Sequence, residues 1–188
     1  MTTKGIVMAE TYDCTNDVRN HIRLVQFWME KFSRQIVSRS KWHDKSKLEE
    51  PEKPIFDEFT PRLKELEFGS DEYKAALTDM GEGLKHHYRV NRHHPEHYEN
   101  GVSGMTLVDI VEMVSDWMAV AQSKETYVDL DLLARRFGIS EQLLDIIANT
   151  LRDEDVWNAV NGAGILGAYC PPEMRDRNVE GFERNRNG

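Results

Sequence analysis

The stretch Lys41-Trp42-His43-Asp44-Lys45-Ser46-Lys47 sets a histidine directly beside an aspartate, with lysines on both sides. Two common residues in contact along the chain are a weak signal, and their weight comes from the residues around them. His21 lies upstream, and five of the seven histidines fall between Leu84 and His97. Asp116 follows in a stretch that is otherwise nearly all apolar. Histidine, histidine-aspartate, histidines, aspartate is an order in which four separate helices can assemble one metal site. Imidazole and carboxylate together suit Mn²⁺, Fe, Co²⁺, Ni²⁺ or Zn²⁺, and the lack of thiolates disfavours a structural zinc site.

The elements that must position these groups read as helices. Thr15 or Asn16 can cap a helix running to about Ser38, with Val18, Ile22, Val25, Trp28, Met29, Phe32 and Ile36 on its apolar repeat. His21 stands with that stripe. A hydrogen-bonded core histidine is its plainer reading in isolation, and the later histidines reverse that preference. Ser38 or Ser40 can start a second helix carrying His43 and Asp44, which diverge by about 100° and can touch one ion from two sides. Pro51 and Pro54 end it. A short helix follows from Ile55 to Phe68.

Ser70 caps a helix on which Tyr73, Leu77, Met80, Leu84 and His87 continue one stripe, so His87 is the inward member of the His86-His87 pair. Pro95 pushes His94 out of helical conformation and ends this helix near His93. Thr106 caps the next helix, Leu107 to about Ala121, whose circumference is almost wholly apolar apart from Asp109, Glu112 and Asp116. Carboxylates on a buried helix must be paired or bind a cation. Asp109 suits an ion pair with Arg or Lys, Asp116 suits the metal, and Glu112 can fix the tautomer of a ligand histidine or carry a proton. Leu130–Phe137 and Ser140–Leu151, parted by Gly138, make two more helices that pack on the bundle, followed by an irregular glycine- and proline-bearing tail.

The expectation is therefore an all-α protein, with an N-terminal segment 1–14, a metal-binding helical core 15–122, and C-terminal helices and tail over 123–188. Its 188 residues, 39% apolar with four Trp, seven Phe and eight Met, suffice for one core. No run of 18 apolar residues is long enough to cross a membrane. The net charge of −9 argues against duplex nucleic acid as a partner. Cys14 and Cys170 do not make a disulfide framework, which points to a cytoplasmic protein. The composition leaves room for a homo-oligomer.

His21, His43, Asp44 and Asp116 supply four ligands to one ion, and His87 with His94 or His93 can complete a second. A metal-activated water attacks phosphorus at neutral pH, with Lys47, Arg92 and Lys85 as candidates to meet the phosphate charge. His93 or His94 can serve as acid to the leaving oxygen.

With these residues on the page, the chain resembles the HD superfamily of helical metal-dependent phosphohydrolases. His43-Asp44-x-x-Lys47 is a frequent form of that superfamily's core motif. His43-Asp-Lys-Ser-Lys, then His87-x-x-x-Asn91-x-His93-His94, then Glu112-Met-x-x-Asp116-Trp117 resembles, more closely, an uncharacterised, mainly phage and bacterial, HD-like family, over roughly Val18 to Val120. The resemblance implies an HD-like helical bundle with His21, His43, Asp44 and Asp116 on the first metal. It also implies one or two divalent ions, with His87 and His94 or His93 on the second. Lys47, His93 and Glu112 would be catalytic, and Lys47, Asn91 and Arg92 would bind a small phosphorylated substrate such as a nucleotide. A phage-encoded member would work in the host cytoplasm. Two alternatives stay open: a diiron oxygenase, which shares this ligand order, and a non-catalytic nucleotide binder.

Overall fold

A computed structural model describes residues 12–67, 69–124 and 128–152. Among them the protein is all-α, with seven α-helices: α1 Thr15–Trp42, α2 Glu52–Glu65, α3 Asp71–Asp79, α4 Gly81–Val90, α5 Leu107–Ser123, α6 Leu130–Phe137 and α7 Glu141–Arg152. Short 3₁₀ turns at Lys45–Leu48, Pro95–His97 and Gly101–Gly104 connect the first five. The expected tail beyond Arg152, with Cys170, lies outside the described residues.

α1 is one helix of 28 residues, where the sequence suggested a break near Ser38. The serines do not cap. Ser40 Oγ donates to the Val37 carbonyl at 2.9 Å, so that hydroxyl is absorbed within the helix. The helix stops at Trp42 because His43 turns to an extended ψ of 126°. Asp44 then enters the left-handed region, with φ 55°. The histidine-aspartate pair therefore sits on a helix end and not along a second helix.

The helix expected from Ser70 to His93 is two. α3 ends at Asp79, and Gly81, at φ +51°, turns the chain into α4. Few side chains tolerate that φ without strain. α4 lies close on α2, since a Cβ placed on Gly83 would come within 3.0 Å of Ile55 Cβ.

α5 carries a capping box. Thr106 Oγ1 accepts from the Asp109 amide, and the Asp109 carboxylate accepts from the Thr106 amide. Its second half builds an apolar cluster with α6 and α7 through Ala121, Val128, Leu130, Leu133, Ile147, Ala148 and Leu151, and Trp117 stacks on Phe137. Gly138, in the left-handed conformation, closes α6 and permits the turn into α7. The two C-terminal helices thus steady α5, whose first half faces the histidines.

Candidate metal centre

Three segments converge. The end of α1 brings His43 and Asp44, α4 with the loop after it brings His87, His93 and His94, and α5 brings Glu112 and Asp116. Two overlapping groups of these side chains can hold a metal ion: Asp44, His87, His93 and His94, and His43, Asp44, His93 and Asp116. Within each group the ligand atoms lie within 4.8 Å of one another. Asp44 and His93 belong to both.

The distances suit coordination. His43 Nε2 is 3.6 Å from Asp44 Oδ2 and 3.5 Å from Asp116 Oδ1. His87 Nε2 and His93 Nε2 each lie 3.5 Å from Asp44 Oδ1. A tetrahedron with metal–ligand bonds of ~2.1 Å has ligand–ligand edges of ~3.4 Å. Asp44 thus turns one oxygen to His87 and His93 and the other to His43.

Burial strengthens the case. His93 is only 1% exposed, yet neither of its ring nitrogens completes a hydrogen bond, and Asp44 Oδ1 is buried without one. Buried polar atoms left unmatched are costly, and a cation between them removes the cost. His87 Nε2 and His94 Nε2 approach to 2.8 Å, two imidazole lone-pair positions aimed at one place.

A second layer holds the rings. His87 Nδ1 lies 2.8 Å from Glu52 Oε2, and His86 Nδ1 lies 2.7 Å from Glu52 Oε1. Ser46 Oγ donates to Glu52 at 2.9 Å. Glu52 is fully buried. A carboxylate on Nδ1 fixes the tautomer that leaves Nε2 free for a metal. Glu112 Oε1 does the same for His43, 2.9 Å from its Nδ1, and lies 3.3 Å from His93 Nδ1. Arg39 ion-pairs with Glu112 from behind.

The electrostatics follow. Asp116 first, then Glu112, raise the His43 imidazole to about 10, so a metal arriving there must displace a proton. Burial, then the neighbouring His93 and His87, hold His94 well below the usual histidine range. Burial also lowers His87. Both rings are thereby kept in the neutral form that binds metal. Burial would raise Asp44, but Lys47, whose Nζ lies 2.6 Å from Oδ2, together with His43 and His87 more than reverses this.

Several expected residues are placed elsewhere. His21 is exposed on α1, 22 residues before His43 and so ~33 Å away along a continuous helix. It does not reach the centre, and His93 supplies an imidazole in its stead. His93 is accordingly a ligand candidate at the middle of the cluster, enclosed too fully to serve as acid to a leaving group. Arg92 directs Nε and Nη2 to Asp109, at 3.2 and 3.1 Å, and its side chain stays 47% exposed. Asn91 Nδ2 donates to Ser46 Oγ at 2.8 Å and to the His87 carbonyl at 3.0 Å, tying the end of α4 to the turn after Asp44. Lys85 pairs with Glu82 on an exposed face. Asp109 is the ion-pair residue that its position suggested, bound by Arg39, Arg92, Tyr98 and Thr106.

Glu52 is the supporting carboxylate of the cluster that the sequence did not reveal. It lies between Pro51 and Pro54, where the prolines speak only of a helix boundary, and nothing local marks it as the partner of histidines 34 and 35 residues away.

Fold and cluster together define an all-α protein with a buried histidine–carboxylate centre able to hold metal. Residues 10–153 match the model of a family of unknown function, DUF5662, and the chain belongs to that family. No curated protein and no solved structure matches it.

Proposed function

We propose that the protein is a metal-dependent phosphohydrolase of HD type, acting on a nucleotide or a related small phosphorylated metabolite. The observation that carries this reading is Asp44, whose two oxygens face two histidine groups that share His93. A carboxylate so placed suits one or two divalent ions, of Mn, Fe, Co, Ni or Zn. Bound there, such an ion supplies Lewis acidity and a water acidified towards neutral pH.

The chain's own groups do the rest. Asp44, His43, His93 and Asp116 would hold one ion, and Asp44, His87, His93 and His94 a second. Glu112 and Glu52 keep the rings aimed, since each accepts from the Nδ1 side. Lys47 presents an ammonium at the edge of the cluster, partly open to solvent, where it can meet the charge of a phosphoryl oxygen. Phe56, with Lys47 Nζ 4.9 Å above its ring, limits how far that ammonium can swing. The first histidine that the HD resemblance places on α1 is not delivered to this centre, so the reading rests on the ligands from His43 onward.

Elemental analysis of the purified protein comes first, then a screen with Mn²⁺ or Co²⁺ against nucleotides, cyclic dinucleotides and generic phosphodiesters. Asp44→Ala is expected to lose metal and phosphate release together. Full metal occupancy in that variant would overturn the assignment. Iron content with oxygen-dependent substrate loss and no phosphate release would instead identify a diiron oxygenase. Ligand retention without turnover would identify a nucleotide-binding protein.

A further inference from the structure

Lys47 sits on the Asp44 side of the cluster, with Nζ 2.6 Å from Oδ2. His94 and Asp116 meet a different set of groups. The Tyr88 ring of α4 lies against the His94 ring, with centroids 5.0 Å apart. Tyr73 of α3 stands close enough to Asp116 for the two to interact electrostatically. Neither tyrosine is among the groups that can hold metal.

α6 brings a guanidinium to this side. Trp117 and Phe137 stack with centroids 5.9 Å apart and planes 7° apart. The residues just before these two rings are Asp116 and Arg136. The stack that joins α5 to α6 therefore sets Arg136 near a candidate ligand. Arg136 Cζ lies 4.9 Å from the Phe137 centroid. Its guanidinium donates to the Tyr88 hydroxyl and acts electrostatically on Tyr73. Lys124, at the C-terminal end of α5, holds its ammonium 5.8 Å from the Tyr73 ring. Two cations and two phenols, from four elements, thus make a wall beside His94 and Asp116. Glu96 is the carboxylate opposed to them at Tyr88.

A divalent ion bound in the cluster would be repelled by cations gathered so near, and an anion between them relieves this. A guanidinium presents five donors in a planar fork, so it can hold the Tyr88 hydroxyl and an oxyanion together. The Tyr88 hydroxyl accepts from Arg136 and keeps its own proton to donate. Arg136 meets the cluster by way of the Tyr88 ring, so an oxyanion in its grip lies one group further along than the oxyanion on the metal.

We propose that Arg136, with Lys124, Tyr73 and Tyr88, binds a second phosphoryl group of the substrate, next to the one that the metal and Lys47 take. The substrate class is then a compound with adjacent phosphoryl groups, such as a nucleoside diphosphate or triphosphate, and not a monophosphate. This rests on the metal-dependent reading above.

Calorimetric titration of the full chain, loaded with Mn²⁺ and freed of excess metal, tests it with two probes. One is inorganic phosphate; the other is methylenediphosphonate, a diphosphate mimic that resists hydrolysis. The wild type is expected to bind the diphosphonate more tightly than phosphate. Arg136→Gln is expected to weaken the diphosphonate about tenfold or more and to leave phosphate binding as it was. Arg135→Gln makes the same change of charge one residue away, on an exposed side chain, and is expected to alter neither. Metal content is read before and after each titration.

A diphosphonate affinity that Arg136→Gln leaves unchanged, or that Arg135→Gln lowers as much, overturns the proposal. So does an equal loss of phosphate and diphosphonate in Arg136→Gln. Should that variant fail to fold, Tyr88→Phe keeps the ring and removes only the hydroxyl. It must then weaken the diphosphonate and spare phosphate, and an unchanged diphosphonate affinity overturns the site. A wild type that takes up no metal ends the metal-dependent reading, and this site with it. A metal-loaded wild type that binds phosphate and diphosphonate alike ends this site alone.

Discussion

Asp44 combines two demands that usually conflict. Its backbone is left-handed, at φ 55°, which costs most side chains but is tolerated by Asp and Asn. Its carboxylate also serves both ligand groups. Asp44→Asn keeps backbone preference and volume and removes the charge. We expect the fold to change by under ~1 kcal/mol while bound metal falls to background, as read by a thermal melt of the metal-free protein alongside elemental analysis. Glu52 works one step back. Glu52→Gln keeps an acceptor but loses the charge that fixes His87, and metal affinity should fall about 10–100-fold in a chelator competition. The residues Asp44, His43, His87, His94 and Asp116 were legible because a cation needs donors of known chemistry in an order that helices can bring together. Glu52 was not, because a supporting carboxylate leaves no mark of its own in a sequence where acids are common. His93 and His94 were alternatives in the sequence, and both turn into the cluster, because the loop after α4 leaves helical geometry and lets adjacent rings share one side.

For the helices, the main revision concerns continuity. Periodicity identified α5, α6 and α7 within one or two residues, since Thr106, Asp129 and Gly138 cap or stop them by side-chain chemistry visible in the sequence. The break expected at Ser38 or Ser40 does not occur, because a serine can cap a helix or, as Ser40 does, bond back into it, and the sequence alone does not choose. The consequence falls on His21. His21→Ala should leave metal stoichiometry and affinity unchanged, and a loss of metal in that variant would refute the placement of α1. Gly83 makes the opposite point. Its missing side chain lets α4, which carries His87, lie against Ile55 of α2. Gly83→Ala should destabilise by ~1–3 kcal/mol despite the better helix propensity of alanine. Urea unfolding measures it, and an unchanged or higher midpoint would show that Ile55 yields.

Across the whole molecule, Asp109 joins the parts. It is fully buried and binds Arg39 of α1, Arg92 and Tyr98 of the loop after α4, and Thr106 at the start of α5. Burial alone would raise its carboxyl, but Arg92, Thr106 and Tyr98 outweigh this and hold it far below the usual carboxylate range. A depressed folded value stabilises the native state above the unfolded value of ~3.9, and that contribution is lost as the pH falls below it. Unfolding followed from about pH 7 to pH 2 should therefore steepen below about 4, and Asp109→Asn, already weaker by ~3–5 kcal/mol at neutral pH, should show a shallower acid limb. Equal acid slopes in the two proteins would remove Asp109 from this role.

The grip of Arg39 on Asp109 and Glu112 also sets where α1 pivots. From that point Val18 stands ~32 Å out, whereas His43 is only ~6 Å away on the other side. A tilt that carries the outer end by about 5 Å would shift the ligand ring by about 1 Å. The rod thus has one long arm and one short arm, and the centre sits on the short one: large excursions outside are geared down before they reach His43.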